Sequence, residues 1–152
     1  MVKLGILLRS TLPALPTIDL AVEAERQGFH SIWVTEGAYN QDAVTQMTAM
    51  AMRTERILVG SGIVPIYSRS PVLAGMTAMG LHLFSGGRAI LGLGASHPFL
   101  VEDAHGVKLD HPITRMREYV EIVRKTFWEE EFSYHGQVYT VPNYRNLGPP
   151  LR

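Results

Sequence analysis

Short apolar runs open near Lys3, Ser31, Ile57 and Ala89, about 26 to 32 residues apart, and a stretch of helical periodicity follows each one. Residues 4–8 form a continuous apolar run rather than an alternation, which predicts a strand buried on both faces of a parallel sheet. Residues 31–35, 57–59 and 89–94 read as the second, third and fourth strands. Pro13 and Pro16 break the loop after the first strand, and Thr17 is placed to cap the first helix. Leu20, Ala21 and Ala24 share one face of that helix, and Gly28 fits the left-handed position that ends it. The second helix, over 42–52, turns Ala43, Met47, Met50 and Ala51 inward. Pro71 opens a third helix, whose apolar faces carry Leu73, Met76, Ala78 and Leu83.

A long loop covers 95–111. The best helix follows over 112–127, with Met116, Tyr119, Val120, Val123 and Phe127 on one stripe. Residues 132–134 and 137–139 predict a hairpin about His135-Gly136, and 142–152 read as a connector. Trp33, mid-strand between Ile32 and Val34, is expected to be mostly buried with its indole N–H paired.

Strands alternating with helices at this spacing predict an α/β fold of βα units around a parallel sheet. A closed TIM-type barrel of eight such units takes roughly 250 residues. This chain has 152 residues. The expectation is therefore a single domain over 1–152 holding four of eight units, a half-barrel or truncated barrel. Its first and fourth strands would be open edges, which predicts a homo-oligomer, a dimer.

The 14 basic and 14 acidic residues cancel, and neither sign clusters into a stripe or tail, so a nucleic-acid partner is not expected. No apolar run is long enough to span a membrane, and the default location is cytoplasmic. The absence of cysteine excludes disulfides and thiolate metal sites. His105 and His111, with Glu102, Asp103 and Asp110, lack the spacing of a metal motif, so no metal is expected.

Chemistry in parallel α/β folds collects at the carboxyl ends of strands. That rule selects Arg9-Ser10-Thr11, Thr35-Glu36-Gly37, Gly62-Ile63-Val64-Pro65 and Gly94-Ala95-Ser96-His97. Gly60-Ser61-Gly62 places two glycines where a strand finishes, as a bulge, a close approach to a flat ligand or a simple turn would require. Gly92-Leu93-Gly94 begins like a dinucleotide fingerprint, but the third glycine and the immediate helix are missing. Glu36 is a candidate acid, base or ring contact, or else an ion-pair partner at the mouth. His97 is a candidate proton donor or cofactor contact, or else a solvated or capping loop histidine.

Several segments together resemble a known family. They are residues 24–36, the run Thr54-Glu55-Arg56-Ile57-Leu58-Val59-Gly60-Ser61-Gly62-Ile63, Ser70-Pro71, residues 83–94 with the Ser85-Gly86-Gly87-Arg88 turn, 117–124 and 134–139. In this order they are similar to the N-terminal half of the bacterial luciferase-like flavin and deazaflavin oxidoreductases. The pattern most resembles the branch using coenzyme F420, an 8-hydroxy-5-deazaflavin, which includes methylenetetrahydromethanopterin reductase. The FMN-dependent monooxygenases are the alternative. The resemblance implies a TIM barrel with the tricyclic ring at its C-terminal mouth and a non-prolyl cis peptide at Gly62-Ile63. It further implies Ser61, Gly62, Ile63, Val64, Gly94 and Ala95 around the ring, Glu36 and His97 against ring or substrate, and hydride transfer to a small organic molecule. Sugar-phosphate dehydrogenases of the family carry Asp-His where this chain has Glu36-Gly37, and a glutamate where it has His97. An inactive half-barrel, serving only to fold and associate, is the reading of another class.

Overall fold

A computed structural model describes residues 2–9, 11–37 and 41–148. Ser10 of the first strand-end segment, Ala38, Tyr39 and Asn40 after the second, and 149–152 of the expected connector lie outside the described residues. The chain forms two compact units, Met1–Pro65 with Gly80–Gly94, and Ile66–Met79 with Ala95–Arg152.

The first unit holds β1 (Gly5–Leu8), α1 (Ala14–Arg26), β2 (Ser31–Val34), α2 (Ala43–Arg53), β3 (Leu58–Ser61), β4 (Val64–Pro65), β5 (Ala89–Ile90) and β6 (Leu93–Gly94). Helix α3 (Pro71–Ser85) begins in the second unit and ends in the first. A four-stranded parallel sheet runs in the order β1-β2-β3-β5, with Leu7 opposite Trp33 and Trp33 opposite Gly60. This is the βα repeat that the spacing predicts. Ile32, Val34 and Val59 pack against Ala21, Ala24, Met47 and Met50 of α1 and α2, and this cluster is the core.

Four local expectations change. The first strand is not buried on both faces. Ile6 and Leu8 join the core while Leu7 is 60% exposed, because β1 has one neighbouring strand and only its helix-facing side is covered. Thr17 does not cap α1. The helix starts at Ala14 with Pro16 in its first turn, where a missing N–H costs nothing, and the fully buried Thr17 hydroxyl donates to Gln46 on α2 at 3.3 Å. The fourth strand splits into β5 and β6. Between them the Ser61 hydroxyl takes over both polar groups of Gly92, accepting from its N–H at 2.9 Å and donating to its carbonyl at 3.0 Å. Trp33 is half-buried rather than mostly buried, and its Nε1 donates to Ser31 Oγ at 2.9 Å.

The Ser85-Gly86-Gly87-Arg88 turn forms as expected, with Gly86 and Gly87 at φ of 62° and 83°, a region that favours glycine. It aims Arg88 at the C-terminal end of α2. The guanidinium donates to the carbonyls of Ala51, Thr54 and Ile57 at 2.8–2.9 Å and to Thr54 Oγ1 at 3.1 Å. The Ala51 and Thr54 carbonyls are ones that the end of α2 leaves unpaired. Lysine has one point charge and no planar fork. Arg88→Lys should therefore lower stability by about 1–2 kcal/mol in urea unfolding, and an unchanged midpoint would show that the turn, not the side chain, secures the helix.

In the second unit, a single π-helical turn (Phe99–Asp103) interrupts what reads as a loop over 95–111. Helix α4 (Pro112–Trp128) follows, then an antiparallel hairpin of β7 (Glu131–His135) and β8 (Thr140–Arg145). The buried stripe of α4 is Glu118, Tyr119, Ile122 and Thr126, rotated from the apolar stripe the periodicity predicts. The reason is a carboxylate. Glu118 accepts hydrogen bonds from the backbone N–H groups of Gln137, Val138 and Tyr139 at 2.7–2.9 Å. Residues 137–139 are thereby the hairpin's turn and not its second strand. Strand β8 takes in residues 142–145, which read as connector from sequence.

Candidate functional site

The carboxyl end of β3 is where the sequence-selected residues gather. Gly60 lies under Trp33, where a Cβ would come within 2.3 Å of the indole ring, and Gly5 approaches the same ring's Nε1. These glycines let one large aromatic lie across the sheet face that carries Leu7. Beyond Gly60 the chain bulges at Ser61-Gly62-Ile63-Val64, with the peptide Gly62-Ile63 in the cis form that the family resemblance implies.

Hydrogen bonds fix the bulge from both sides. The Gly62 N–H donates to Val34 of β2 at 2.8 Å, and the Val64 N–H donates to Gly92 at 2.8 Å. The Glu36 N–H donates to the Ile63 carbonyl at 3.3 Å. Ser61 and Val64 are almost wholly buried, whereas Gly62 and Ile63 are half-exposed. Gly94 sits against Ile63, where a Cβ would come 2.7 Å from its side chain. Ser61, Gly62, Ile63, Val64 and Gly94 are therefore one constellation.

Glu36 is joined to it through its backbone. Its carboxylate accepts from the Ala43 N–H at 3.1 Å, at the first turn of α2, where the helix dipole favours negative charge. Asp42 caps the same helix by accepting from the Thr45 N–H at 2.7 Å. Ala95 and His97 belong to the second unit. Ser96 between them has φ of 66°, and the exposed His97 starts the π-helical turn, its carbonyl accepting from Leu100 and Val101 at 3.0 Å.

A depression of about 520 Å³ lies at the opposite, amino ends of the first unit's strands, lined by residues that include Lys3, Glu25, His30 and Arg56. Its one carboxylate is already spent: Glu25 accepts from the N–H groups of Glu55, Arg56 and Ile57 at 2.6–3.1 Å. Burial pushes the Glu25 pKa up, but those three N–H groups outweigh it and hold the carboxyl below its ordinary range. It ties α1 to the start of β3 and is a structural group.

Sequence reasoning missed a second cluster, in the second unit. The Arg115 guanidinium lies 4.8 Å from the Tyr67 ring centroid and 5.3 Å from that of Tyr139, and it pairs with the Asp110 carboxylate. The Tyr67 hydroxyl donates to the Asp110 carbonyl at 2.8 Å. Burial raises the pKa of both tyrosines despite the neighbouring cation, so both stay neutral phenols at ordinary pH. Every charge here has its partner within the cluster, the mark of a packing lock. Its spread over residues 67–139 leaves no local sequence signal.

Comparison with known proteins places this geometry. Residues 6–151 match the luciferase-like monooxygenase family. The chain belongs to that family. A protein of Mycobacterium tuberculosis provisionally named a coenzyme F420-dependent oxidoreductase is 37% identical over 113 residues, which are 74% of this chain and 32% of that protein. The 5,10-methylenetetrahydromethanopterin reductase of Methanolobus tindarius is 32% identical over 126 residues, 83% of this chain and 38% of the reductase. The solved coenzyme F420 dependent tetrahydromethanopterin reductase of Methanopyrus kandleri superposes with a TM-score of 0.80 at 26% identity, covering 92% of this chain and 44% of that one. The α/β fold is thus that of the luciferase-like TIM-barrel enzymes, and the chain spans well under half the length of these curated relatives. Among the described residues, no helix is long and apolar enough to cross a membrane.

Proposed function

We propose that this chain is the N-terminal part of an oxidoreductase that holds the deazaflavin ring of coenzyme F420 against the bulge after β3 and serves hydride transfer to a small organic substrate. The bulge carries the reading. Its backbone is tied to β2 and to Gly92, and it offers a half-exposed surface made of one glycine and one isoleucine. Such a surface fits a flat ring, because Gly62 adds no side chain and Ile63 supplies apolar contact. The F420-dependent names among the relatives favour the deazaflavin over FMN.

In this reading Gly62 and Ile63 touch one ring face, and Ser61 and Val64 hold the bulge from behind. Gly94 keeps space beside Ile63. Glu36 fixes the bulge to the start of α2 through its N–H and its carboxylate. The bound coenzyme would supply or accept the hydride, and the protein's part is to place the ring and shield one face. Equilibrium titration with oxidised F420 should give micromolar binding, with FMN weaker by about tenfold or more, which is about 1.4 kcal/mol. Tighter binding of FMN would move the chain to the flavin monooxygenases. No binding of either at high micromolar protein would overturn the proposal and leave the inactive half-barrel.

A further inference from the structure

We propose, resting on the placement of a deazaflavin ring at the bulge, that Leu7 of β1 is a third contact for that ring beside Gly62 and Ile63, and that its length sets how deep the ring enters. A Cβ on Gly62 would meet one neighbour within 4 Å among the described residues, Leu7 Cδ1 at 3.2 Å. The Leu7 methyl thus stands where a side chain at position 62 would begin. A flat molecule laid on that side of Gly62 meets Leu7 as well.

The reach of Leu7 follows from its neighbours. In the sheet order Leu7 lies opposite Trp33, and Trp33 opposite Gly60. The space over Gly60 is already taken, because a Cβ there would lie 2.3 Å from the Trp33 ring. The indole is held in place by its Nε1 bond to Ser31 Oγ at 2.9 Å. With Trp33 filling that row, the Leu7 tip is found two residues nearer the carboxyl end of β3, at Gly62. Its place on β1 suits the role. Ile6 and Leu8 join the core under the helices, so Leu7 is on the opposite sheet face, one residue before β1 ends. Carboxyl ends of strands are where this kind of fold places its chemistry.

The wall is apolar on both sides of the glycine. Leu7 approaches Gly62 from the β1 side of β3. The Ile63 side chain leans the other way, over Gly94, where a Cβ would lie 2.7 Å from it. Two branched aliphatic side chains therefore flank one glycine, with no charged group among them. That surface fits the face of an uncharged aromatic ring. Leu7 carries no motif, and only the β1-β2-β3 order brings it to the bulge.

Equilibrium titration of the purified chain with oxidised F420, with urea unfolding alongside, tests the contact. Leu7→Ala should weaken binding about tenfold by removing apolar contact. Leu7→Met, which keeps the volume, should stay within about threefold of wild type, and Leu7→Trp should bind more than about tenfold weaker by filling the ring's place. Gly62→Ala should weaken binding less in the Leu7→Ala background than in wild type, a coupling in affinity that a residue serving only the fold would show in unfolding alone. Wild-type binding that both Leu7→Ala and Leu7→Trp retain overturns the role of Leu7 and leaves the ring at the bulge. Lower stability with unchanged affinity also overturns it, and makes Leu7 a packing residue of the sheet face. If Leu7→Ala does not fold, equal affinities of Leu7→Met and Leu7→Trp overturn it in the same way. No binding of F420 by the wild type removes the ring from the bulge, and the Leu7 contact falls with it.

Discussion

Gly92→Ala is expected to unseat the bulge and, under the function proposed above, to weaken coenzyme binding more than about tenfold. A Cβ on residue 92 would come 2.1 Å from the Ser61 carbonyl oxygen and 3.2 Å from its carbon, both backbone atoms that no rotamer change can move aside. The same glycine donates to the Ser61 hydroxyl and accepts from Ser61 and Val64, so any shift breaks bonds that hold the bulge. Overpacking of this kind costs about 1–3 kcal/mol, and F420 affinity should fall by more than tenfold alongside. Gly80→Ala is the control. Nothing lies within 4 Å of its added Cβ in the interior of α3, so it should stabilise by about 0.5–1 kcal/mol with binding unchanged. Equal behaviour of the two variants in thermal unfolding and titration would refute the tight packing of Ser61 on Gly92.

What was legible in the sequence is what glycine and local periodicity dictate. The Gly60-Ser61-Gly62 bulge, the Ser85-Gly86-Gly87-Arg88 turn and Gly28 at φ of 80° answer to backbone geometry at their own positions. The inward face of α2, Ala43, Met47, Met50 and Ala51, answers to helical period, and all four are buried. Long-range polar demands were not legible. Thr17 reads as a cap because hydroxyls favour caps, yet its partner Gln46 is 29 residues away. Arg88 reads as part of a turn, though its guanidinium serves carbonyls more than thirty residues earlier. On α4 a period count assigns Glu118 and Thr126 to solvent, since it treats every polar side chain as unpaired. Gly75 makes room for Thr126, for a Cβ there would lie 2.4 Å from the Thr126 Cβ. For the candidate site, the residues at the end of β3 do lie together, as their sequence adjacency dictates, but the task of Ser61, holding Gly92, depends on which strand lies beside it.

Glu118→Ala should be the most damaging change in the second unit. The carboxylate is 4% exposed and is the acceptor for three successive N–H groups, those of Gln137, Val138 and Tyr139. Gly136 makes the approach feasible, because a Cβ there would lie 2.3 Å from Glu118 Oε2. Bonds to a charged acceptor are worth about 1.5–3 kcal/mol each, and the half-exposed turn regains some of that from water, so a net loss of about 2–4 kcal/mol is expected. The hairpin should open first, seen as faster exchange of the 137–139 amides. Glu118→Gln separates charge from shape. Burial raises the pKa of Glu118, but the three N–H groups lower it further, and the net is a carboxyl below its ordinary value. A folded-state pKa below the unfolded one adds stability above the ordinary carboxylate pKa. That increment is lost as the pH falls through the folded-state value. The wild type should therefore weaken steadily below the ordinary carboxylate range, and Glu118→Gln should be less stable at neutral pH with a shallower acid slope. The slope should shrink and not vanish, because Glu25, held low by its own three N–H groups, still titrates in the same direction. Parallel slopes in urea unfolding across pH would show that the turn is held by packing alone and that the Glu118 charge does nothing for it.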